Sequence, residues 1–297
     1  FGYCLTGVVR DHFFPIDYGG GRNGKGTFYN AVAHVMGSYA TSVPISMLKA
    51  RKFDAHPTEL TILFGSRFAY CAETEKGDTL NTSLVKMLSG GDRISARRMH
   101  EDFWSFAPTH KLGMQTNHRP RIKETTGAIW SRVHLVPWNV VIPDAEQDKA
   151  LGEKLKAEAP GILAWLVRGC LEWQRVGLAP PEAVRASSEK YKRDEDVIGQ
   201  FLSDCVERAE GSKTVRSSMR AAYNRWCEVR GDERTLSARA FHEELEEHGL
   251  EPTVWKDPVT KQTLRGWDGA RLLTIPPSEL DDDEQELVSL LDQTFPN

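Results

Sequence analysis

Apolar residues in this chain gather in short runs, each closed by a polar or glycine-rich break. Residues 13–18 read as a strand. Pro15 has no N–H for a ladder, so the expected start is Ile16. After a run of glycines, Phe28, Val32, Val35 and Met36 recur on one helical face, and Gly37 supplies the stop. Residues 60–64 and then Phe68–Ala72 follow, the latter a second core strand. Residues 81–88 predict a short helix. Residues 93–96 and 103–107 predict the arms of a β-hairpin with a polar tip between them. Residues 112–117 give a third core strand and Val133–Pro137 another.

The pattern changes in the second half. Residues 144–178 are helical in period, with Pro160-Gly161 expected to break them in two. Ile162, Leu163, Leu166, Cys170 and Trp173 share a face that Trp165 widens, and tryptophan there is expected in the core. Pro180-Pro181 opens a linker-like passage, polar through residues 187–195. Two helices are then expected at 198–206 and 217–229, the second carrying Met219, Tyr223, Trp226 and Cys227 on one side. Ser237 would cap a third, residues 238–248, closed by Gly249. Residues 254–273 suggest a two-strand ribbon around a loop at 258–261. The division expected is a core at 1–143, a helical segment and linker at 144–195, a winged-helix-like domain at 196–275, and an acidic tail at 276–297 taken as disordered.

Composition adds a charge asymmetry. The chain has 297 residues, 40% apolar and 27% charged, with a net charge of −4. From Ser278 onward stand seven acids and no Lys or Arg, so the rest is mildly basic, at about +3. Five scattered cysteines, none in C-x-x-C spacing, speak against a disulfide framework or a zinc site and for a reducing compartment. No run reaches the ~18 apolar residues of a membrane span and no signal peptide is visible, so no membrane partner and a cytoplasmic setting are expected. The chain begins at Phe1, in what reads as the last turns of a helix, and is expected to be a fragment of a longer protein.

Chemistry concentrates at residues 18–27, Y-G-G-G-R-N-G-K-G-T. Gly19, Gly24 and Lys25 satisfy the spacing G-x-x-x-x-G-K between a strand and a helix. There, inward backbone N–H groups and a helix N-terminus suit phosphate oxygens, and Lys25 would reach the terminal phosphates. Gly26 stands where a metal-binding hydroxyl is usual, and Thr27 comes one place later. Phe68–Ala72 runs into Glu73-Thr74-Glu75. After such a loop, one carboxylate would help hold Mg²⁺ and the other would orient the attacking water; taken alone, the segment reads as a strand entering a charged turn. Asn117, ending the third core strand, either senses a γ-phosphate and positions water or simply begins a turn. Between Lys86 and Arg132 lie nine Lys/Arg against four acids. That excess suits a phosphate backbone, the alternative being a solvated turn. Arg132 gains interest beyond a surface ion pair only if another subunit's nucleotide lies opposite it.

The order of these parts resembles the superfamily 3 helicases, and more narrowly the helicase module of phage, plasmid and poxvirus-type primase-helicases. The matching text is G-G-G-R-N-G-K-G-T-F (19–28), A-E-T-E-K-G (72–77), L-V-K-M-L-S-G-G-D-R-I-S-A-R-R-M (84–99), K-L-G-M-Q-T-N-H-R-P-R (111–121) and A-I-W-S-R-V (128–133). The resemblance implies an AAA+-like P-loop ATPase core, within an α/β fold completed by the helical segment and the winged-helix-like domain. It implies ATP and Mg²⁺ as cofactors. Nucleotide would be bound by Gly19, Gly21, Asn23, Gly24, Lys25, Gly26 and Thr27, and metal by Thr27 and Glu73. Glu73 and Glu75 would be the acidic pair, Asn117 the sensor, and Arg132 an arginine finger, although Ser131 replaces the first arginine of the family's common Arg-Arg pair. Lys86 would join Arg97, Arg98 and His100 in a DNA-contacting hairpin. The implied assembly is a homo-oligomeric ring, a hexamer in the family, around single-stranded DNA in a bacterial-host or mobile-element setting. A DNA-loading module of the same fold that has lost hydrolysis is the rival, with Gly26 as its motive. Another is a P-loop ATPase that remodels protein. In the second domain, Arg239, Lys256, Lys261 and Arg265 are candidates for DNA contact, while Glu243, Glu244, Glu246 and Glu247 suit contact with another replication protein; the acidic tail offers a second such contact.

Overall fold

The computed structural model describes residues 1–51, 56–124, 127–231 and 235–273; the expected acidic tail lies outside them. The chain divides into two compact units, Phe1–Glu195 and a second beginning at Asp196.

The first unit is built on strands β1 (Phe14–Tyr18), β2 (Ala40–Ser42) and β3 (Phe68–Ala72), joined by β6 (Lys111–Thr116) and β7 (Val133–Pro137). Their order is β2-β3-β6-β1-β7, and every pairing is parallel. A parallel sheet must be covered on both faces, which explains why its strands read as apolar runs. Helix α1 (Lys25–Met36) covers one face. Between β3 and β6 the chain forms α2 (Thr82–Ser89), capped by the Asn81 side chain, and the hairpin β4 (Ile94–Ala96) and β5 (Trp104–Phe106). Then come α3 (Gly127–Trp130), α4 (Leu151–Ala157), α5 (Ala159–Val176) and α6 (Glu182–Glu195).

Pro15 sits inside β1, one residue ahead of the expected start. Phe14 N–H donates to Arg132 O on the β7 side, so by alternation the Pro15 nitrogen faces β6, whose pairing with β1 begins only at Ile16. No ladder bond is lost there. The helical break falls at Glu158, with Pro160 accommodated in the first turn of α5, where a missing N–H costs nothing. Trp165 is exposed on α5, unlike the buried Trp173. The passage taken for a linker is α6, packed against β7: Tyr191 is in the core, and Ser188 Oγ accepts from Leu135 N–H at 2.9 Å.

The second unit packs α7 (Val197–Cys205), α8 (Arg216–Val229) and α9 (Ala238–Glu247) on an antiparallel sheet. Phe201, Tyr223, Phe241 and Trp267 form its centre. The expected ribbon is β9 (Glu251–Lys256) with β10 (Thr263–Leu272). A strand not foreseen, β8 (Val206–Val215), pairs with the other edge of β10. All five cysteines are free and buried. Among the described residues no helix is long and apolar enough to cross a membrane.

Candidate functional site

In a parallel sheet the carboxyl ends of the strands share one edge, and the loops that leave them converge. Here β1, β6 and β3 are neighbours, and their ends carry the glycine loop, Asn117 and Glu73. The loop is pinned at its start by Gly19 N–H donating to Thr116 O at 3.3 Å. It then turns through Gly21, Arg22 and Gly24, all at positive φ. Gly24 precedes α1 in the left-handed region, a conformation that costs glycine nothing. At Gly19 a Cβ would lie 2.2 Å from Trp138 O and 2.5 Å from Asn23 Nδ2, so no larger residue fits.

Lys25 opens α1 and is buried. Its Nζ donates to Gly19 O at 2.8 Å, to Asn23 Oδ1 at 3.1 Å and to Asn117 Oδ1 at 3.1 Å. Burial lowers its pKa, while the Asp17 carboxylate pulls the other way. Lys25 and Asn117, 92 positions apart in sequence, are thus in direct contact. Glu73 follows the last residue of β3, its N–H donating to Gln115 O at 2.9 Å, and adopts φ 62. A non-glycine residue there is strained backbone, a feature that clusters at functional sites. Thr74 turns inward, its hydroxyl 2.5 Å from Thr116 Oγ1 and bonded to His118 O. Glu73 and Glu75 are exposed. With strands about 4.8 Å apart, Glu73 and Gly19, flanking β6, stand roughly 10 Å from each other. Thr27 lies half-buried in the first turn of α1, and Gly26 is exposed beside it.

The remaining predicted residues lie elsewhere. Arg132 precedes β7, at the amino end of the sheet; five strand residues at about 3.3 Å each put it some 16 Å from the loop-bearing edge. It donates to Ala128 O at 2.6 Å, with its other terminal nitrogen 3.4 Å from His12 Nδ1. The hairpin also rises from the amino end, where Phe64 packs on Trp104 and Phe106 just ahead of β3. Its tip carries Arg97 stacked on Phe103, Arg98 facing Glu101 at 3.9 Å, and His100 at positive φ, with Met99 and Phe103 exposed. Lys86 is engaged by both Glu124 carboxylate oxygens at 2.8 Å. In the second unit, Arg239 is held by Glu243 at 2.8 Å, and Lys261 donates to Pro258 O.

Two residues beneath the loop carried no signal in the sequence. Asp17, on β1, is buried; its Oδ2 accepts from Tyr29 Oη at 2.7 Å and its Oδ1 from Trp138 Nε1 at 2.6 Å. Burial raises its pKa against those two hydrogen bonds. Trp138 O in turn accepts from Asn23 Nδ2 at 3.1 Å. A chain of bonds therefore ties the sheet floor to the loop. Only the register of β1 with β7, 115 or more positions apart in sequence, brings these groups together.

Residues 18–132 match a family of unknown function, DUF5906, and residues 193–266 match the Poxvirus D5 protein-like family. A "Putative helicase" of Acanthamoeba polyphaga mimivirus is 25% identical over 235 residues, covering 73% of this chain and 24% of that protein. A "Putative helicase" of Frog virus 3 is 25% identical over 273 residues, covering 84% and 27%. A "Putative primase" of African swine fever virus is 25% identical over 297 residues, covering 89% and 30%. The chain thus spans between 24% and 30% of the length of these relatives. The apo structure of the NrS-1 C-terminal region superposes with a TM-score of 0.50 at 12% identity, over 90% of this chain and 69% of that one, a likeness of fold.

Proposed function

We propose that this chain, a primase-helicase-type module of superfamily 3, couples ATP hydrolysis to movement along single-stranded DNA. The observation that supports this reading most is the meeting of Lys25, Asn117, Glu73 and Glu75 at the carboxyl ends of three adjacent parallel strands. In this reading the glycine loop is a phosphate-binding loop. The residues fit the group: the Lys25 ammonium holds three neutral oxygens where phosphate oxygens would take their place, and Gly19 and Gly24 keep the backbone clear of side chains. Thr27 and Glu73 would hold Mg²⁺, which when bound neutralises charge on the transferred phosphoryl group. Glu75 would orient the attacking water. Asn117, bonded to Lys25, would exchange that bond for one to the terminal phosphate and so report its presence.

Arg132 is too far from Lys25 to act within one chain, so its role as an arginine finger requires a neighbour's nucleotide and hence a ring-like homo-oligomer. The exposed Arg97–His100 tip would grip the strand by its phosphates, and the second unit would serve as a winged-helix-like accessory domain. ATP turnover measured with and without single-stranded DNA tests the whole. Lys25→Ala should abolish turnover, and wild-type rates in that variant refute the reading. Mixing Arg132→Ala with Lys25→Ala subunits should restore part of the activity; no recovery in any mixture counts against action between subunits. Gly26 favours one second reading, a loading module that binds DNA and nucleotide without hydrolysis, for which DNA binding without turnover is the expected result.

A further inference from the structure

Gly26 stands where a metal-binding hydroxyl is usual, and the structure offers a replacement from the sheet. Residues of β6 alternate between faces. Leu112, Met114 and Thr116 point to one side; Lys111, Gly113 and Gln115 point to the other, where a Cβ at Gly113 would meet Tyr29 Oη of α1 at 3.2 Å. Gln115 therefore reaches up from the central strand toward the first turn of α1. Among the described residues, a Cβ at Gly26 would meet a single neighbour within 4 Å, the Gln115 Oε1 at 3.8 Å. The Gln115 amide has no side-chain hydrogen-bond partner among the described residues. Asp17, its register partner on β1, is engaged by Tyr29 and Trp138, and Lys25 by three oxygens.

We infer that Gln115 supplies the oxygen ligand for the nucleotide's divalent cation that a hydroxyl at position 26 would otherwise give. This rests on the nucleotide-binding reading above. A hydroxyl at residue 26 would place its oxygen one bond from that Cβ position. A cation roughly 2.1 Å from such an oxygen is also within bonding reach of an amide oxygen 3.8 Å from the Cβ. Oxygen donors of this neutral kind suit a hard cation that also retains waters and phosphate oxygens. Gly26 then has a positive function, since a side chain there would compete with Gln115 for the same place. Gln115 would then join Thr27 and Glu73 around the cation.

The test uses the intact chain with a fluorescent ATP analogue, titrated in EDTA and in Mg²⁺, and with Mn²⁺ and ADP followed by electron paramagnetic resonance. Gln115→Ala should leave affinity in EDTA unchanged and lose the cation-dependent tightening by roughly 10-fold or more, since removing even a group that only orients a metal ligand costs about 10–100-fold. Gln115→Glu, which keeps shape and an oxygen ligand, should retain it. Gly26→Ser in the Gln115→Ala background should restore it, with the Mn²⁺ spectrum returning toward that of the unsubstituted chain. Unchanged Mg²⁺ dependence in Gln115→Ala overturns the inference, as does a serine that rescues nothing. Loss of affinity in EDTA also overturns it, by showing that Gln115 shapes the phosphate loop. A chain that binds no nucleotide even in EDTA removes the underlying reading itself, a result that none of the other outcomes resembles.

Discussion

Replacing Asp17 by alanine strips the floor of the glycine loop of its two acceptors. Tyr29 Oη and Trp138 Nε1 each donate to this carboxylate, at 2.7 and 2.6 Å. Hydrogen bonds to a charged group contribute about 1.5–3 kcal/mol each, and an orphaned buried donor costs about 1–3 kcal/mol. The Tyr29 hydroxyl has a fallback, Met114 O at 3.5 Å; among the described residues none is recorded for the Trp138 indole. Against this, removing a carboxylate whose burial already raises its pKa recovers part of its desolvation cost. The net expectation for Asp17→Ala is a loss of about 2–4 kcal/mol, and for Asp17→Asn, which keeps one acceptor, about 1–2 kcal/mol. Urea unfolding followed by tryptophan fluorescence measures this, fitted as two transitions because the chain has two units. A double-mutant cycle with Tyr29→Phe should return a coupling of about 1 kcal/mol or more. Since Trp138 also holds Asn23, nucleotide affinity should fall several-fold along with stability. A change below about 0.5 kcal/mol, the scale of an ordinary surface substitution, together with unaltered nucleotide affinity, would show that the loop does not stand on Asp17.

Gly19→Ala should abolish nucleotide binding while Gly24→Asn, which tolerates positive φ, weakens it less; equal effects in a fluorescent-nucleotide titration would argue against the clash with Trp138. His110 is fully buried, neither ring nitrogen meets a hydrogen-bond partner among the described residues, and burial pushes its pKa down to about 4 against an upward pull from the Leu88 backbone. Its neutral form is the stable one in the fold, so unit one should hold full stability from this group above about pH 6.5 and lose roughly 3 kcal/mol as pH falls to about 4. Thermal melts of His110→Phe across that window should be flatter than those of the parent. Neutralising Arg97 and Arg98 should remove stimulation of ATP turnover by single-stranded DNA and leave basal turnover intact; stimulation that survives would assign the hairpin another role.

Much of the first unit was readable in the chain because its strands are buried on both faces. Phe68–Ala72 and Val133–Pro137 stand at the bounds their apolar runs predicted. β8 was missed for the opposite reason: of Val206–Val215 Thr214 alone is buried, and Gly211 at positive φ interrupts its alternation. Helix α6 reads as a linker in the sequence because one fully buried residue, Tyr191, anchors an otherwise charged stretch. Lys25 could be nominated from the G-x-x-x-x-G-K spacing, and Glu73 and Asn117 because each ends a run that reads as a strand or follows one directly. Asp17, Gln115 and Trp138 could not. Their meaning depends on register between strands far apart in sequence, and nothing local to a buried Asp or Gln says which loop it supports.

The connection between the hairpin and the loop-bearing edge is shorter than their separation across the molecule suggests. Phe106 ends the hairpin, and β6 begins at Lys111 and delivers Asn117 directly against Lys25. That strand is hydrogen-bonded on both sides and buried for most of its length. It is in effect a strut: close-packed interiors compress little, and its ladders to β1 and β3 fix its register, so a displacement at Asn117 would have to carry the neighbouring strands with it. Gly113 is the point in that strut without a side chain, and a Cβ there would meet the Tyr29 hydroxyl and the Phe68 ring at 3.2 Å, so the strut is thinnest where its neighbours press closest and any larger residue would wedge them apart.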